Sequence, residues 1–403
     1  MFFFLRIAAV LLLLLVLPAL YLHFRYLRHK RGMRRWRILM WTTTAILAAG
    51  TLWYISYGFQ TGRPEWLTRL FLHLLLGVSF AQLGLCIGGL LATLTKRNSF
   101  MRRAMTGVGI GLAALSLIIT IMAYLIGNKR IEVKEYTFAS KELPEAFNGF
   151  RIVHISDLHL GTYGADTARV SELINKTLEQ KGDIILFTGD LVNLESREAL
   201  PFVEQLKRLT APYGVYSILG NHDYAVYRNF AEKDEQLADI EQLVKLEKEC
   251  GWHVMRNENA IIEKDSAHIA LIGVENDGKP PFPQLANIPK AIKGLPADAN
   301  FKIMMTHDPS HWRRNVLNET DAQLTLAGHT HGMQFKLAGW SPASWVYKEW
   351  GGQYYEGDRS IVVSIGLGLG AVPFRFGAWS EVCVITLKVK HSHSLCFSTR
   401  YTN

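Results

Sequence analysis

The stretch Leu324-Thr-Leu-Ala-Gly-His-Thr-His331 ends an apolar run with two histidines that are separated by one residue. Gly328 stands where the chain has to turn after the run, which predicts a strand followed by a loop that carries both imidazoles. Imidazole is a common metal ligand in proteins. We therefore interpret the pair as two ligands that point to neighbouring positions.

Four earlier segments have the same form, an apolar run followed by residues of the types that bind metals. They are IVHISDLH (152–159), IILFTGD (184–190), VYSILGNHD (215–223) and IMMTHD (303–308). Helical patterns such as 166–180, 196–209 and 234–249 alternate with them, which predicts a layered α/β domain with two packed sheets. Further strands are predicted, among them 131–138, 333–337, 361–365 and 381–388. Ligands bind at the carboxyl ends of strands in such folds, so we expect the five loops to meet.

The mixture of carboxylate, imidazole and amide groups indicates the kind of ion. It suits Mn, Fe or Zn better than calcium, and the absence of cysteine from the segments argues against a structural zinc. Each segment alone is more often a turn or a helix cap, but five in series are not. Eight candidate ligands are too many for one ion, whereas two ions about 3.5–4 Å apart with a shared carboxylate fit the number. That arrangement serves phosphoester hydrolysis.

The series resembles the calcineurin-like metallophosphoesterases, whose pattern D-x-H, G-D, G-N-H-[DE], H, G-H-x-H is intact here. The resemblance covers about residues 148–390 and implies four layers, α/β/β/α. The chain is most similar to a membrane-linked branch with a GHTHGGQ block and a closing Pro-x-Arg segment. Here these read GHTHGMQ, with Met333 in place of the second glycine, and Gly366-Leu-Gly-Leu-Gly-Ala-Val-Pro-Phe-Arg375. That branch includes cell-envelope phosphoesterases, UDP-2,3-diacylglucosamine pyrophosphatases and transmembrane metallophosphoesterases.

The resemblance also implies how two divalent ions are held and used. One ion would be bound by Asp157, His159 and His331. The other would be bound by Asn221, His307 and His329, and Asp190 would bridge the two ions. A hydroxide shared by the ions would attack phosphorus in line.

Four more residues receive roles outside the metal shell. The resemblance implies that His222 protonates the leaving oxygen or stabilises phosphoryl charge, oriented by Asp223. Arg228, which follows the Gly-Asn-His-Asp block, and Arg375 are candidates for contact with a substrate phosphate. Aromatic residues concentrated at 340–355 predict either packing or contact with a bilayer interface.

The first 127 residues contain four apolar runs, 2–22, 38–59, 70–94 and 104–127, each long enough to predict a membrane helix. A signal peptide is the alternative for the first run. The loops 23–37 and 95–103 hold seven and four Lys/Arg and no acid. The positive-inside rule therefore predicts that these loops are cytoplasmic and that the following domain lies on the extracytoplasmic side of the plasma (inner) membrane.

Charge and cysteine content exclude other classes of protein. Residues 1–130 carry 16 of the 44 Lys/Arg but only one acid, so the basic excess reflects membrane topology and predicts no nucleic-acid partner. The four cysteines lack zinc spacing, and a Cys383–Cys396 disulfide is one alternative to free thiols.

These observations predict a membrane-anchored binuclear phosphoesterase that hydrolyses a phosphomonoester, phosphodiester or pyrophosphate of a small-molecule, lipid or cell-envelope substrate. One alternative is a UDP-2,3-diacylglucosamine pyrophosphatase; another, of a different class, is a non-catalytic membrane-tethered binding module. The expected organisation is a transmembrane region (1–128), a linker with the first strand (129–147), the phosphoesterase domain (148–390) and a C-terminal tail (391–403).

Overall fold

The apolar runs form four long helices in a computed structural model that describes residues 2–28, 30–57, 65–95, 97–127, 129–280, 282–370 and 373–391. The helices are α1 (Phe2–Leu22), α2 (Arg34–Tyr57), α3 (Glu65–Leu94) and α4 (Ser99–Met122). Chain contacts divide the protein into two units, Met1–Gly127 and Asn128–Asn403. Cys396 and the tail beyond residue 391 lie outside the described residues.

Three stretches of helix in the described part of the chain are long and apolar enough to cross a membrane. They are Ala9–Leu27, Leu67–Leu94 and Ser99–Gly127. Our prediction of four spans is wrong for the second run. It is helical, but α2 begins with three arginines in four residues and continues through three consecutive threonines, Thr42–Thr44, so its polar content is too high.

Small and branched residues pack the four helices of this unit. Leu15, Leu47 and Leu75 bring α1, α2 and α3 together in one buried cluster. Gly88 of α3 lies directly against Gly109 of α4, where a side chain on either residue would collide with backbone. Glycine at such a crossing lets two membrane helices approach closely.

The second unit contains two six-stranded mixed sheets. Sheet A has the order β1-β12-β2-β3-β4-β5 and sheet B the order β10-β11-β9-β8-β7-β6. The strands are β1 (Ile131–Ser140), β2 (Arg151–Ile155), β3 (Ile184–Phe187), β4 (Val215–Ser217), β5 (His253–Val254), β6 (Glu258–Lys264), β7 (Ala267–Gly273), β8 (Lys302–Met305), β9 (Leu324–Ala327), β10 (Gly352–Glu356), β11 (Arg359–Val363) and β12 (Ser380–Val389).

Helices cover the outer face of each sheet, and the sheets bury their inner faces against each other. The α-helices are α5 (Thr167–Leu178), α6 (Val203–Leu206), α7 (Lys233–Glu249), α8 (Ile288–Ala291) and α9 (Leu317–Glu319). Alternate residues of a strand face opposite layers. In β2, Ile152 belongs to the core between the sheets, whereas Val153 packs with α5 and α7. Trp312 and α8 cover sheet B. The two packed sheets predicted from the sequence are present.

Several local predictions are confirmed and others fail. The helical pattern predicted at 166–180 corresponds to α5, which the Asp166 carboxylate caps by accepting from the Arg169 N–H. Residues 333–337 do not form the predicted strand, because His331–Gln334 is a tight helical turn with consecutive left-handed residues. Strand β10 was not predicted. Strand β1, assigned to the linker, pairs with β12 along its whole length.

Candidate metal centre

The five metal-ligand loops meet because the strands before them run in the same direction. In sheet A, β2, β3 and β4 are parallel neighbours, and in sheet B, β8 and β9 are parallel neighbours. Their carboxyl ends therefore lie at one edge of the stacked sheets. Short hydrogen bonds join the loops, including Asp157 N–H to the Gly189 carbonyl (2.9 Å) and His159 N–H to the Asp190 carbonyl (3.1 Å).

Backbone strain is concentrated at this edge. Five of the seven predicted ligands have left-handed backbone with φ from 48° to 73°, namely Asp157, His159, Asp190, His329 and His331. Each such conformation costs roughly 1–2 kcal/mol for a residue with a Cβ. Gly328, before the histidine pair, lies so close to the Ser156 hydroxyl that a Cβ would collide with it. The fold thus holds the ligands in positions that the local chain does not favour.

The first ligand group contains Asp157, His159 and His331. The two Nε2 atoms of His159 and His331 are 3.0 Å apart, and His331 Nε2 is 3.3 Å from Asp157 Oδ1. Ligands about 2.1 Å from one ion are separated by about 3.0–3.4 Å at bond angles of about 90–110°. The third separation, from His159 Nε2 to Asp157 Oδ1, is wider at 3.9 Å, so two of the three separations match a shared ion.

The second group contains Asp190, His307 and His329. His307 Nε2 lies 3.1 Å from Asp190 Oδ2 and 3.3 Å from His329 Nδ1. Asp190 Oδ2 also lies 3.7 Å from His159 Nε2 of the first group. The Asp190 carboxylate therefore stands between the two groups, where a bridging ligand has to be.

Asn221 adds an amide oxygen to the second group. Its Nδ2 donates to the Tyr227 hydroxyl at 2.8 Å, while its buried Oδ1 has no hydrogen-bond partner among the residues that the structure describes. A buried acceptor without a partner costs about 1–3 kcal/mol. A cation at this point would remove that cost.

Burial prepares two of the imidazoles, those of His159 and His329, as neutral ligands. Burial lowers the pKa of His159 to about 3 and that of His329 to about 4, so both have a free lone pair at neutral pH. The Nδ1–H of His307 donates to the Thr188 carbonyl at 2.7 Å, which directs its Nε2 towards Asp190. Burial opposes charging of His307, but the Asp190 carboxylate outweighs it and raises the pKa of His307 to about 10.

The donor set fits divalent metal ions. It consists of imidazole nitrogens and carboxylate oxygens with no thiolate, and a third group, His159, Asp190 and His222, links the two groups already described. Hydrogen bonds outside the shell fix the ring of His159, whose Nδ1 lies 3.1 Å from Asn193 Oδ1. Such outer partners orient metal ligands and increase their basicity.

His222 lies beside the two groups, but Asp223 does not orient it as predicted. The Nδ1–H of His222 donates to the Asn193 carbonyl at 2.6 Å, and its ring packs against that of Tyr227. The Asp223 carboxylate instead accepts the backbone N–H groups of Asp190, Leu191, Val192 and Gly220. It shapes the loop that carries the bridging aspartate. The orienting role predicted for Asp223 is performed by the Asn193 backbone carbonyl. Residue types could not indicate this, because every residue has a backbone carbonyl.

The two arginines predicted to contact substrate differ in their surroundings. Arg228 is partly exposed and forms an ion pair with Glu195, a carboxylate that also pairs with Arg197, so a single negative charge lies beside two arginines. Arg375 is fully buried and donates to the carbonyl oxygens of Ile365, Gly368 and Ala378. The predicted phosphate contact is not available to Arg375. It stabilises the glycine-rich segment behind His331, whose residues 371 and 372 lie outside the described part.

Two tyrosines outside the predicted ligand set contact the ligands. The Tyr227 hydroxyl accepts from Asn221, and the Tyr347 hydroxyl lies 2.8 Å from His329 Nε2. Tyr227 lies four residues after the Gly-Asn-His-Asp block, which was the available signal. Tyr347 is distant from any ligand along the chain and is placed by the turn that follows His331.

Comparison with known proteins agrees with this geometry. The profile of the calcineurin-like phosphoesterases matches residues 150–333, which include every ligand loop. The chain is 32% identical over 274 residues to the metallophosphoesterase YkuE of Bacillus subtilis, covering 64% of this chain and 86% of that protein. The protein belongs to the calcineurin-like phosphoesterase family. It is a metal-dependent phosphoric ester hydrolase, as the sequence predicted.

Two other relatives are a transmembrane protein and a pyrophosphatase whose name specifies a diacylated substrate. A transmembrane protein with metallophosphoesterase domain from Danio rerio is 27% identical over 93% of this chain and 87% of its own length, so that match includes the apolar helices. A UDP-2,3-diacylglucosamine pyrophosphatase of Chlamydia trachomatis is 25% identical over 60% of this chain and 86% of its own length. The apolar helices and these relatives identify a membrane protein.

Proposed function

We propose that this protein is a binuclear phosphoesterase that hydrolyses a phosphomonoester, phosphodiester or pyrophosphate in a lipid or cell-envelope substrate. The observation that carries the proposal is the proximity of two ligand groups, in which the Asp190 carboxylate of the second group lies 3.7 Å from His159 of the first. We assign one ion to Asp157, His159 and His331. The other belongs to a second set, His307, His329 and the Asn221 amide oxygen.

Two divalent ions bound there would neutralise phosphoryl charge and lower the pKa of water so that it can attack phosphorus. The protein supplies the remaining steps. The Asn193 carbonyl accepts from Nδ1–H of His222, so Nε2 is the atom that can give a proton to the leaving oxygen. Tyr347 and Tyr227 border the same space and limit how a substrate can approach. Arg228 is close to the site but paired with Glu195.

Hydrolysis of a soluble aryl phosphodiester by the full chain in detergent tests the catalytic part of the proposal. We expect activity that requires Mn, Zn or Fe and is lost with a chelator. His222→Ala should lower kcat about 10²–10⁴-fold without loss of bound metal, because it removes a proton donor. Asn221→Ala should instead reduce metal content. His253→Ala, at an exposed histidine of β5, is the matched control. Unchanged turnover in His222→Ala would contradict the assigned role.

For the location, we propose that the phosphoesterase unit lies on the extracytoplasmic side. The proposal needs only α3 and α4 to cross the membrane, because the four bases of 95–103 then anchor the intervening loop in the cytoplasm. A phosphatase reporter fused after Asn403, active only outside the cytoplasm, should be active. A stable but inactive fusion would place the unit in the cytoplasm.

The cytoplasmic outcome would favour the alternative, a UDP-2,3-diacylglucosamine pyrophosphatase, since nucleotide-linked precursors are made there. One observation supports this alternative. With three spans instead of four, the seven bases of residues 23–37 lie on the opposite side to residues 95–103 and on the same side as the phosphoesterase unit. Hydrolysis of a UDP-linked diacylated sugar, measured by release of UMP, would separate the two candidates.

A further inference from the structure

Exposed apolar side chains follow the second histidine of the metal centre. We call them the apolar rim, and they are Met333, Leu337, Trp340, Trp345 and Val346. Trp345 is 78% exposed, an unusual fraction for a side chain of this size. All five lie within a stretch of 14 residues, and the rings of Trp340 and Trp345 are in contact.

The fold holds the rim outwards in a defined shape. Leu337 and Trp340 exchange two backbone hydrogen bonds of 2.9 and 3.0 Å across a tight turn whose tip is Ala338-Gly339, so the two residues face each other at its base. The rings of Trp340 and Trp345 meet edge to face at 5.1 Å between centroids. The Lys336 N–H donates to the Phe376 carbonyl at 2.7 Å and ties the base of the turn to the unit. A shaped apolar protrusion of this kind indicates a contact surface.

The same segment reaches into the metal centre. The Tyr347 hydroxyl, one residue beyond the rim, is 2.8 Å from His329 Nε2. Thr330, between the paired histidines, donates to the Trp350 carbonyl at 2.5 Å, and Ser341 donates to the Gly332 carbonyl at 2.6 Å. A molecule that contacts the apolar rim would therefore lie next to the metal ligands.

Two features of the chain point to lipid as the occupant. The rim combines tryptophan with nearby Lys336 and exposed Lys348, a composition typical of surfaces that enter the headgroup region of a bilayer. The last apolar helical residue is Gly127 and β1 begins at Ile131, so only three residues tether the unit to its membrane helix. The phosphoesterase unit is therefore linked to an apolar helix by a short connection.

We propose that the apolar rim binds the acyl region of a phosphorylated bilayer lipid and presents its headgroup to the metal centre. The inference rests on the proposed phosphoesterase function and specifies where its substrate docks. It predicts that the rim contributes to hydrolysis of a membrane lipid and contributes nothing to hydrolysis of a small soluble ester.

The activity test uses the full chain reconstituted in phosphatidylcholine vesicles with dioleoyl phosphatidic acid as the probe. Trp340→Ser/Trp345→Ser should lower kcat/KM for this lipid at least tenfold and leave kcat/KM for a soluble aryl phosphate within twofold. Leu200→Ser/Leu237→Ser, which alters two exposed leucines outside the rim, should change neither value. Equal loss on both substrates would assign the tryptophans to folding of the site and overturn the proposal.

A second measurement does not depend on the identity of the substrate. A fluorescent dye on Trp345→Cys should be quenched by brominated acyl chains in the same vesicles, and a dye on Leu237→Cys should not. Quenching at neither position would show that the rim does not touch lipid. A blue-shifted but unquenched dye at 345 would show a protein contact, and either result overturns the proposal.

The two proposals fail in different ways. If the wild type hydrolyses neither the lipid nor the aryl phosphate with any of the metals, the proposed function fails. If it hydrolyses the aryl phosphate while the rim variants and the dye positions behave alike, only the lipid-docking inference fails.

Discussion

Side chains outside the metal shell decide how well the ligands are oriented. The oxygen and nitrogen of an asparagine amide are interchangeable by rotation, and only one of them can bind a cation. The hydrogen bond from Asn221 Nδ2 to the Tyr227 hydroxyl selects the orientation with Oδ1 towards the ligand group. Tyr227 is therefore a positioning residue for the metal.

Tyr227→Phe should lower affinity for one of the two ions about tenfold, because an outer hydrogen bond to a ligand is removed. Metal content after dialysis, and the metal concentration that restores half of the activity, measure the effect. Tyr216→Phe, a half-buried tyrosine that stacks on His253, is the control and should bind both ions as the wild type does. Two ions retained with unchanged affinity in Tyr227→Phe would refute the positioning role.

Met333 occupies a position that suits glycine. Its φ of 45° lies in the left-handed region, and its side chain belongs to the exposed apolar rim. Met333→Gly should raise the free energy of unfolding by about 0.5–1 kcal/mol, since relief of about 1–2 kcal/mol of strain exceeds the entropic cost of glycine. Urea denaturation measures it. Met333→Ala keeps the strain and should bring no such gain; equal stabilisation by alanine would contradict the explanation.

Helix α7 carries a buried carboxyl group. Glu247 is fully buried, and its Oε2 accepts from the Ser217 hydroxyl of β4 at 2.5 Å. Its Oε1 lacks a partner within the part of the chain that the structure describes. Burial raises the pKa of Glu247 to about 8. The folded protein therefore keeps the proton over a pH range in which the unfolded chain, with an ordinary pKa of 4.5, releases it.

This difference destabilises the fold as the pH rises from about 4.5 to 8, because the unfolded state then binds fewer protons. Glu247→Gln should therefore be about as stable as the wild type near pH 4.5 and more stable by on the order of 3–5 kcal/mol at pH 8. Urea denaturation at both pH values, in chelator, measures the difference. Glu249→Gln, at an exposed glutamate of the same helix, should show no such pH-dependent gain. A constant difference between Glu247→Gln and wild type would contradict the raised pKa.

The two units of the whole molecule differ in what they contain: the first holds the apolar helices and the second holds the candidate metal ligands. Every described ligand lies within Asn128–Asn403, and β1 completes one edge of sheet A from residue 131 onwards. A chain of residues 129–403 should therefore hydrolyse a soluble aryl phosphodiester with kcat/KM within about threefold of the full chain. A truncation beginning at 148 removes β1, exposes β12 and should be unstable. A folded but inactive 129–403 chain would show that the helices contribute to the site.

The sequence alone indicated the types and order of the candidate metal ligands, the alternation of strands and helices and three of the four apolar spans that it predicted. These features depend on local spacing, because an apolar run followed by a polar turn has the same meaning wherever it stands. The prediction of a membrane span failed for α2, whose arginines and threonines make it less apolar than a count of hydrophobic residues suggests.

Only the tertiary structure decided which atoms meet across the chain. It paired His222 with the Asn193 carbonyl, buried Arg375 behind His331 and turned Asp223 towards the backbone of the bridging loop. A hydrogen bond forms with whichever partner packing brings within about 3 Å, and residue type does not specify that partner. The metal centre was therefore predictable in its composition, whereas the groups that orient it depend on how the two sheets pack.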